Sequence, residues 1–441
     1  MIPQVGELSL RAYLDVQAKS LTDLCTKCGK CVEVCPVVQS DFALTRPLKT
    51  VEPSRVVTGV VDFLRGEVLS DHARSWIEAC TGSGECITHC PAHINPRQML
   101  AIALNRIRAE QSQAGTNPVG SYYQRMSQII RLAVAMQMSP QRYRRLIGKE
   151  GNKDRADVVF YLGCNVLRTP VIVFSIMDIL DRLDVDYAML GGVANCCGII
   201  HLKLHGDVDR ADIIGSHTLD KLAAFSPRTV LHWCPSCVLE FGETVNGYRP
   251  YPFEFQHVSR FLVDRLSALG PMLQPVPQRV ALHRHDGGLG IAQDVEKLLG
   301  AIPGLDLVPT DDQPHLAYSC GPGALSNIPD AREQSHRRTL ESAVNAGAEV
   351  LATLYHTCHR DLCAFEGQYP LKVKNWSTIL SLGLGLSEHE DRYKQIKLHN
   401  ELSGILDDAG EFLKAHGVDT STVREVLPNL LVGKDRGISV W

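Results

Sequence analysis

Hydrophobic residues follow two different patterns along the chain, and the pattern changes near Val158. Upstream, Pro96 to Glu110 and Tyr122 to Met138 carry apolar residues at helical spacing. Downstream, short β-rich runs alternate with helical stretches. The predicted strands are Val158–Leu162, Tyr187–Leu190, Thr229–Trp233, Arg279–Arg284, Leu305–Val308 and Glu349–Leu354. The predicted helices are Pro170–Leu183, Asp207–Phe225, Ile291–Ile302 and Ala331–Ala346. This alternation predicts parallel βαβ units, so we expect an α/β protein with parallel sheets behind a helical N-terminal region.

The downstream region also repeats itself. Its landmarks are cysteines that come just after predicted strands, and their counterparts lie 121 to 124 residues later. The pairs are Cys164 with Gly288, Cys197 with Cys320, Cys234 with Tyr355, and Cys237 with Cys358. A nearly constant offset over four positions predicts an internal duplication.

Five segments follow from these patterns. We expect a helical arm over residues 1–112, a helical linker over 113–156, two duplicated units over 157–272 and 273–385, and a helical tail over 386–441. Arg142 to Arg155 is basic and glycine-containing, which suits an interdomain linker or, alternatively, docking to an acidic partner. The expected packing stripe of the tail is Leu402, Ile405, Leu406, Phe412 and Leu413.

Composition narrows the class of protein. Of 441 residues 44% are hydrophobic and 21% charged, and the net charge of −4 gives no general reason to bind nucleic acid. No apolar run reaches the roughly 18 residues of a membrane span. Met1 to Arg11 lacks the layout of a signal peptide. We therefore expect a cytoplasmic protein, and in that compartment 15 closely spaced cysteines indicate thiolate ligands rather than disulfides.

The first cysteine cluster is a ferredoxin motif. Cys25 to Pro36 follows the C-x2-C-x2-C-x3-C-P spacing, whose fourth cysteine serves the neighbouring cluster. Cys80 to Pro91 is a second copy with Ser83 in place of one cysteine. The crossed rule assigns Cys25, Cys28, Cys31 and Cys90 to one cluster, and Cys35, Cys80 and Cys86 with Ser83 to the other. A structural zinc site is the alternative, and the two matched copies disfavour it.

Ser83 leaves the second cluster open to several forms. A hydroxyl ionises far less readily than a thiol and is a poor ligand for a soft metal. The cluster is therefore expected to be a four-iron cluster with serine or water as a ligand, a three-iron cluster, or absent in the isolated chain.

The second group of cysteines follows three predicted strands. Cys164, the pair Cys196 and Cys197, and the pair Cys234 and Cys237 come after separate strands, and ligands in open α/β sheets bind at the carboxyl ends of strands. Five thiolates can thus converge on one crevice. Adjacent cysteines suit a larger or distorted cluster with bridging thiolates better than an ordinary cubane.

These residues resemble a known family. The order Cys164, Cys196-Cys197-Gly198, Cys234-Pro-Ser-Cys237 is similar to the cysteine-rich CCG domain of heterodisulfide reductases. An arm followed by two such domains resembles the fused catalytic subunit of that family and its sulfur-oxidising bacterial relatives. The resemblance implies a noncubane four-iron cluster on those five cysteines, where a disulfide is cleaved or made. It also implies other subunits as partners.

The second unit departs from the family pattern. His285 to Gly288, Ser319-Cys320-Gly321 and Tyr355-His-Thr-Cys358 replace the cysteine-bearing motifs, so a second noncubane cluster is not expected. Two alternatives remain: zinc or a small cluster, or a scaffold without metal. The candidate ligands are Cys320, Cys358, Cys363, His283, His285, His356 and His359. The turn Gly287 to Gly290 lacks the third glycine of a dinucleotide fingerprint, which argues against nucleotide binding.

The preferred hypothesis is an iron–sulfur oxidoreductase subunit. Electrons pass between a flavoprotein partner, the arm clusters and the noncubane cluster, which acts on a free or protein-bound disulfide or sulfur substrate, and the incomplete second unit favours a role in sulfur oxidation. The alternative is the electron-transfer subunit of a glycolate, lactate or glycerol 3-phosphate dehydrogenase. A non-enzymatic, metal-dependent scaffold is a third possibility.

Overall fold

Two parallel sheets form the centre of the molecule. A computed structural model of the protein describes residues 8–285, 287–310, 316–320, 322–325, 327–399 and 401–430. The first sheet contains β1 (Val158–Gly163), β2 (Tyr187–Gly191), β3 (Thr229–His232) and β4 (Glu254–His257), in the order β2-β1-β3-β4. The second contains β5 (Arg279–His283), β6 (Asp306–Val308), β7 (Val350–Thr353) and β8 (Lys372–Asn375), in the order β6-β5-β7-β8. The two orders are the same, as a duplication requires.

The predicted fold class is confirmed, and two strands were missed. All six predicted strands are present, with ends that differ by one or two residues. The missed strands, β4 and β8, are four residues long and occupy sheet edges. Their charged residues, such as Glu254, Lys372 and Lys374, are typical of edge strands and hide the apolar pattern that marks the central ones.

Strand register defines which residues of the two units are equivalent. Tyr161 pairs with His232 in the first sheet, and His283 pairs with Thr353 in the second. His283 therefore corresponds to Tyr161. By the same count Cys164 corresponds to position 286, which lies outside the described residues, and not to Gly288 as motif spacing predicted.

The two units pack against each other through reciprocal helix contacts. The first unit has helices Pro170–Arg182, Val208–Ala224, Pro235–Leu239, Val258–Val263 and Leu266–Leu269. The second has helices Ile291–Gly300, Pro322–Leu325, Pro329–Asn345, His356–Leu362 and Trp376–Gly383. The helix after the first strand of each unit packs on the helix after the last strand of the other. Trp233 and Trp376 stack across this interface, with ring centroids 5.6 Å apart.

The arm, linker and tail are helical. The arm contains helices Leu10–Leu24, Lys30–Glu33, Pro36–Gln39, Pro53–Leu64, Asp71–Glu78, Glu85–Thr88 and Pro96–Gln113. The linker contains Tyr122–Ala135 and Pro140–Leu146, and the tail contains Arg392–Leu398, Leu402–His416 and Thr420–Leu430. Residues 1–7 of the predicted arm and 431–441 of the predicted tail lie outside the described residues. No helix in the described ranges is long and apolar enough to cross a membrane.

The first sheet separates two hydrophobic cores. Val159 and Tyr161 face a core shared with the arm, whereas Phe160 and Leu162 face a core shared with the linker, the tail and the second unit. All of β1 is buried, which explains its uninterrupted apolar sequence. The predicted linker packs on the first unit: Asn152 exchanges hydrogen bonds of 2.8 and 2.9 Å with the backbone of Met189.

Candidate functional site

The structure brings the arm cysteines together in two groups. Burial, followed by the charge of neighbouring thiols, raises the pKa of the Cys31 thiol to about 12. Those neighbours are Cys25, Cys28 and Cys90. In the other group burial raises the pKa of Cys86, and the thiols of Cys80 and Cys35 raise it further. The crossed grouping is the one that the ferredoxin spacing predicts.

The loop of the second group is covered by the second duplicated unit. Ser83 is half-buried in this loop, between Gly82 and Gly84. A Cβ on Gly82 would meet the Tyr318 ring, and one on Gly84, whose φ is +89°, would overlap the Gly287 carbonyl. Arg97 Nη1 donates to the carbonyl oxygens of Gly82, at 2.9 Å, and Gly287, at 2.5 Å. The glycine-rich turn at Gly287 therefore has a packing role here.

Five thiols of the first unit form one continuous chain of contacts. Cys164 contacts Cys196, which contacts Cys197. Cys237 contacts both Cys197 and Cys234. Hydrogen bonds from Cys164 and Cys197 hold the pKa of Cys196 well below its usual range. The predicted convergence of three strand ends thus places all five sulfurs in one buried site.

This five-thiol group lines a pocket of about 760 Å³, a volume that includes the open mouth. The second unit supplies the facing wall, and the linker and a π-helical turn, His201–His205, supply the rest. The facing residues are Tyr318, Ser319, His356, Thr357 and Arg360, and the others include Tyr122, Met126 and Lys203. The pocket is therefore built at the interface between the two duplicated units.

Two cations line this pocket. Arg360 is 3% exposed, and its Nη1 donates to Asn165 Oδ1 at 2.9 Å. Lys203 Nζ lies 5.8 Å from the centre of the Tyr318 ring, and burial lowers its pKa. Tyr318 in turn shares a 3.1 Å hydrogen bond with Ser236, between Cys234 and Cys237.

The three thiol groups lie in series. Cys28 is exposed at one end. Cys31, in the same group, is close enough to Cys86 to raise its pKa. Cys80 faces Lys203, which lines the five-thiol pocket. A smaller cavity beside Cys80 shares Lys203 and Tyr318 with that pocket. The order runs from the surface to the buried pocket.

The candidate ligands of the second unit separate. His283, Cys320 and Cys358 place their donor atoms within 4.8 Å of one another. Cys363 instead points its Sγ to the Arg360 carbonyl, and His359 pairs with Asp391 at 2.6 Å. His356 lines the pocket, and His285 Nδ1 contacts the Ala317 carbonyl at 3.3 Å.

The donor sets of the arm and first unit fit iron–sulfur clusters. A buried group of neutral thiols with raised pKa values gains when a cationic centre deprotonates it. The four-thiol and five-thiol groups offer soft donors only, as iron–sulfur clusters require. Ser83 makes the other arm group less complete.

Sequence reasoning did not identify Lys203, Arg360, Tyr318 or Arg97 as site residues. None belongs to a cysteine motif, and Arg360 and Tyr318 belong to the other duplicated unit. The available signal was the duplication, because two units that pack reciprocally bring loops of one over the strand ends of the other.

Comparison with known proteins gives the same organisation. The 4Fe-4S dicluster domain family matches residues 21–94, and the Cysteine-rich domain family matches residues 158–242. One subunit of the dihydromethanophenazine:CoB–CoM heterodisulfide reductase of Methanosarcina barkeri is 24% identical, over 83% of this chain and 94% of the relative. Its counterpart in Methanosarcina mazei is 24% identical, over 80% and 90%.

A further relative is an iron–sulfur-type match from a different reductase, a component of the fumarate reductase (CoM/CoB) of Methanothermobacter marburgensis. It is 23% identical, over 81% of this chain and 71% of the relative. These relatives are subunits of oxidoreductases. The domain order, the grouped thiols and the similarity over most of its length together make the chain an iron–sulfur subunit of the heterodisulfide reductase type.

Proposed function

We propose that this chain is the electron-transfer and disulfide-reacting subunit of a heterodisulfide reductase-like complex. The observation that carries the proposal is the series of thiol groups, which runs from exposed Cys28 to five thiols at the wall of a pocket. A chain that only transferred electrons has no need of a substrate-sized pocket over its last thiol group. The names of the two Methanosarcina relatives point to a disulfide as the substrate.

The ligand assignment follows the grouping. Cys25, Cys28, Cys31 and Cys90 would hold one cubane cluster, and Cys35, Cys80 and Cys86 would hold the other, with Ser83 beside them. The five-thiol group, Cys164, Cys196, Cys197, Cys234 and Cys237, would hold a noncubane four-iron cluster. When bound, these clusters supply electrons one at a time.

The protein side chains stabilise the products of disulfide cleavage. Reduction of a disulfide consumes two electrons and two protons and releases two thiols, so negative charge develops on sulfur as the S–S bond breaks. Lys203 and Arg360 line the pocket and stabilise that charge. Burial lowers the pKa of Lys203, which makes its Nζ a better proton donor to a leaving thiolate.

The direction of electron flow depends on the partner. A flavoprotein partner would exchange electrons at the exposed Cys28 edge. Run in reverse, the same site oxidises thiols or persulfides, which is the reaction that a sulfur-oxidising complex needs. The second unit contributes a pocket wall rather than a second noncubane cluster, because the three donors that converge there include only two thiols.

Anaerobic spectroscopy of the full chain tests this function. Purified protein should contain roughly eight to twelve iron atoms per chain and show an EPR signal that changes when thiols are added. Cys197→Ala should remove about four irons and the thiol-responsive signal. Cys363→Ala, a buried cysteine outside every group, is the matched control and should change neither.

Two results would contradict the proposal. Iron content that is unchanged in Cys197→Ala would exclude a cluster on the five-thiol group. A full complement of iron whose EPR signals ignore thiols would favour the dehydrogenase-type electron-transfer role instead.

A further inference from the structure

Three metal-binding side chains meet in the core of the second unit. His283 ends β5, Cys320 follows β6 in the chain, and Cys358 is in helix His356–Leu362. Their donor atoms lie within 4.8 Å of one another, and the three residues are 1%, 0% and 0% exposed. Three separate elements thus contribute to one buried point.

We propose that His283, Cys320 and Cys358 bind a single zinc ion, at a site separate from the five-thiol group. Zinc accepts a mixture of thiolate and imidazole ligands, with a Zn–S distance of about 2.3 Å and a Zn–N distance of about 2.0 Å. Tetrahedral ligands at those distances lie roughly 3.5 Å apart, within the observed limit. Two thiolates neutralise the ion, so the buried site carries no net charge. A water molecule takes the fourth position.

The imidazole is already oriented for this role. Its Nδ1 shares a 2.9 Å hydrogen bond with Thr339 Oγ1, in helix Pro329–Asn345, and the ring also hydrogen-bonds the Cys358 thiol. Thr339 is 2% exposed and fixes the ring so that Nε2 faces the thiols. An outer hydrogen bond of this kind is the usual support of a metal-binding histidine.

This site is not a reduced copy of the five-thiol group. Register places His283 at the position of Tyr161, whose hydroxyl donates to the Asn195 carbonyl at 2.8 Å. Cys320 and Cys358 correspond to Cys197 and Cys237 by motif order. The second unit therefore has a donor that the first lacks, and two thiols with one imidazole suit one borderline ion better than a four-iron cluster.

Metal analysis of the anaerobically purified, iron-loaded full chain tests the proposal. After equilibration with zinc and dialysis, the wild type should hold one zinc per chain. Cys320→Ser and Cys358→Ser should each hold less than about a tenth of that, with iron content unchanged. Cys363→Ser, five residues beyond Cys358 and outside the site, should keep its zinc. Cobalt in place of zinc should give a thiolate charge-transfer band that both ligand variants lose.

Thr339→Val provides a test that leaves all three ligands in place. Its zinc affinity should fall roughly 10- to 100-fold, as expected for loss of a support to a metal-binding histidine. Unchanged affinity would overturn the proposed orientation of His283. A wild type without zinc, zinc retained in both ligand variants, a Cys320–Cys358 disulfide in the anaerobic protein, or loss of about four irons in Cys320→Ser would overturn the zinc site itself.

Discussion

The two duplicated units share one fold and differ in their chemistry. Both sheets have the same strand order, and the helices between them pack reciprocally. The first unit places five thiols at its strand ends, whereas the second brings together one imidazole and two thiols and supplies a wall of the pocket in the first. A few substitutions in the loops after strands changed the chemistry without changing the fold, because buried apolar strands hold the fold.

Even capping residues preserve their function with different chemistry. His257 ends β4 and caps helix Val258–Val263 by accepting from Ser259 N, while its Nε2 donates to the Trp233 carbonyl at 3.1 Å. Asn375, at the equivalent end of β8, caps helix Trp376–Gly383 and donates to the Thr353 carbonyl at 2.9 Å. The first unit therefore has a titratable group where the second has none.

The largest difference between the units is expected at the cysteines that correspond by motif order. Cys197→Ser should lower the rate of disulfide reduction at least about 100-fold, because it removes a sulfur from the proposed reacting centre. Cys320→Ser should lower it no more than about tenfold, through the stability of the pocket wall. The assay is reduction of a small disulfide by a viologen donor. Equal losses would mean that both units hold reacting centres.

The next effect tests the pocket between the units. Lys203→Met should reduce the same rate roughly 10- to 100-fold with iron content unchanged, since it removes charge stabilisation of a leaving thiolate. Lys149→Met, on the exposed linker surface, is the control and should retain the wild-type rate. An unaffected rate in Lys203→Met would remove Lys203 from the mechanism.

A smaller effect tests how the second unit covers the arm. Gly84→Ala adds a Cβ that overlaps the Gly287 carbonyl, whereas Gly66→Ala, at a similar φ of +97°, meets nothing within 4 Å. Both substitutions strain the backbone, so their difference measures the overlap. Gly84→Ala should be about 1–3 kcal/mol less stable than Gly66→Ala in denaturant unfolding. Equal stability would show that the loop and the second unit separate readily.

The smallest effect concerns the caps. Burial, with a contribution from His232, lowers the pKa of His257 to about 3. The unfolded chain therefore binds a proton that the fold excludes, and stability is lost as pH falls below about 6.5. His257→Asn, which installs the residue of the second unit, should reduce this loss by roughly 1 kcal/mol between pH 7.5 and 5.5.

Denaturant midpoints at the two pH values measure this change. His72→Asn, on the exposed surface, is the control and should behave as the wild type. A pH slope that is the same in His257→Asn and the wild type would show that His257 is not the group responsible.

Sequence patterns predicted the elements well where burial is complete. Central strands such as β1 and β7 are apolar throughout and were found within one or two residues of their ends. The short edge strands β4 and β8 were missed because their solvent-facing positions are polar. Of the seven candidate ligands in the second unit, sequence had no means to select His283, Cys320 and Cys358, since they come together only through strand register and helix packing.

The sequence by itself determined the thiol motifs, the duplication and the α/β class, because ligand spacing and hydrophobic periodicity are local properties of the chain. Tertiary structure decided what surrounds the thiols. Arg97 joins the arm to both duplicated units, and Lys203 and Arg360 meet across an interface between segments far apart in sequence. Such contacts depend on how the two units pack, and that packing is set by their buried helix faces rather than by any motif.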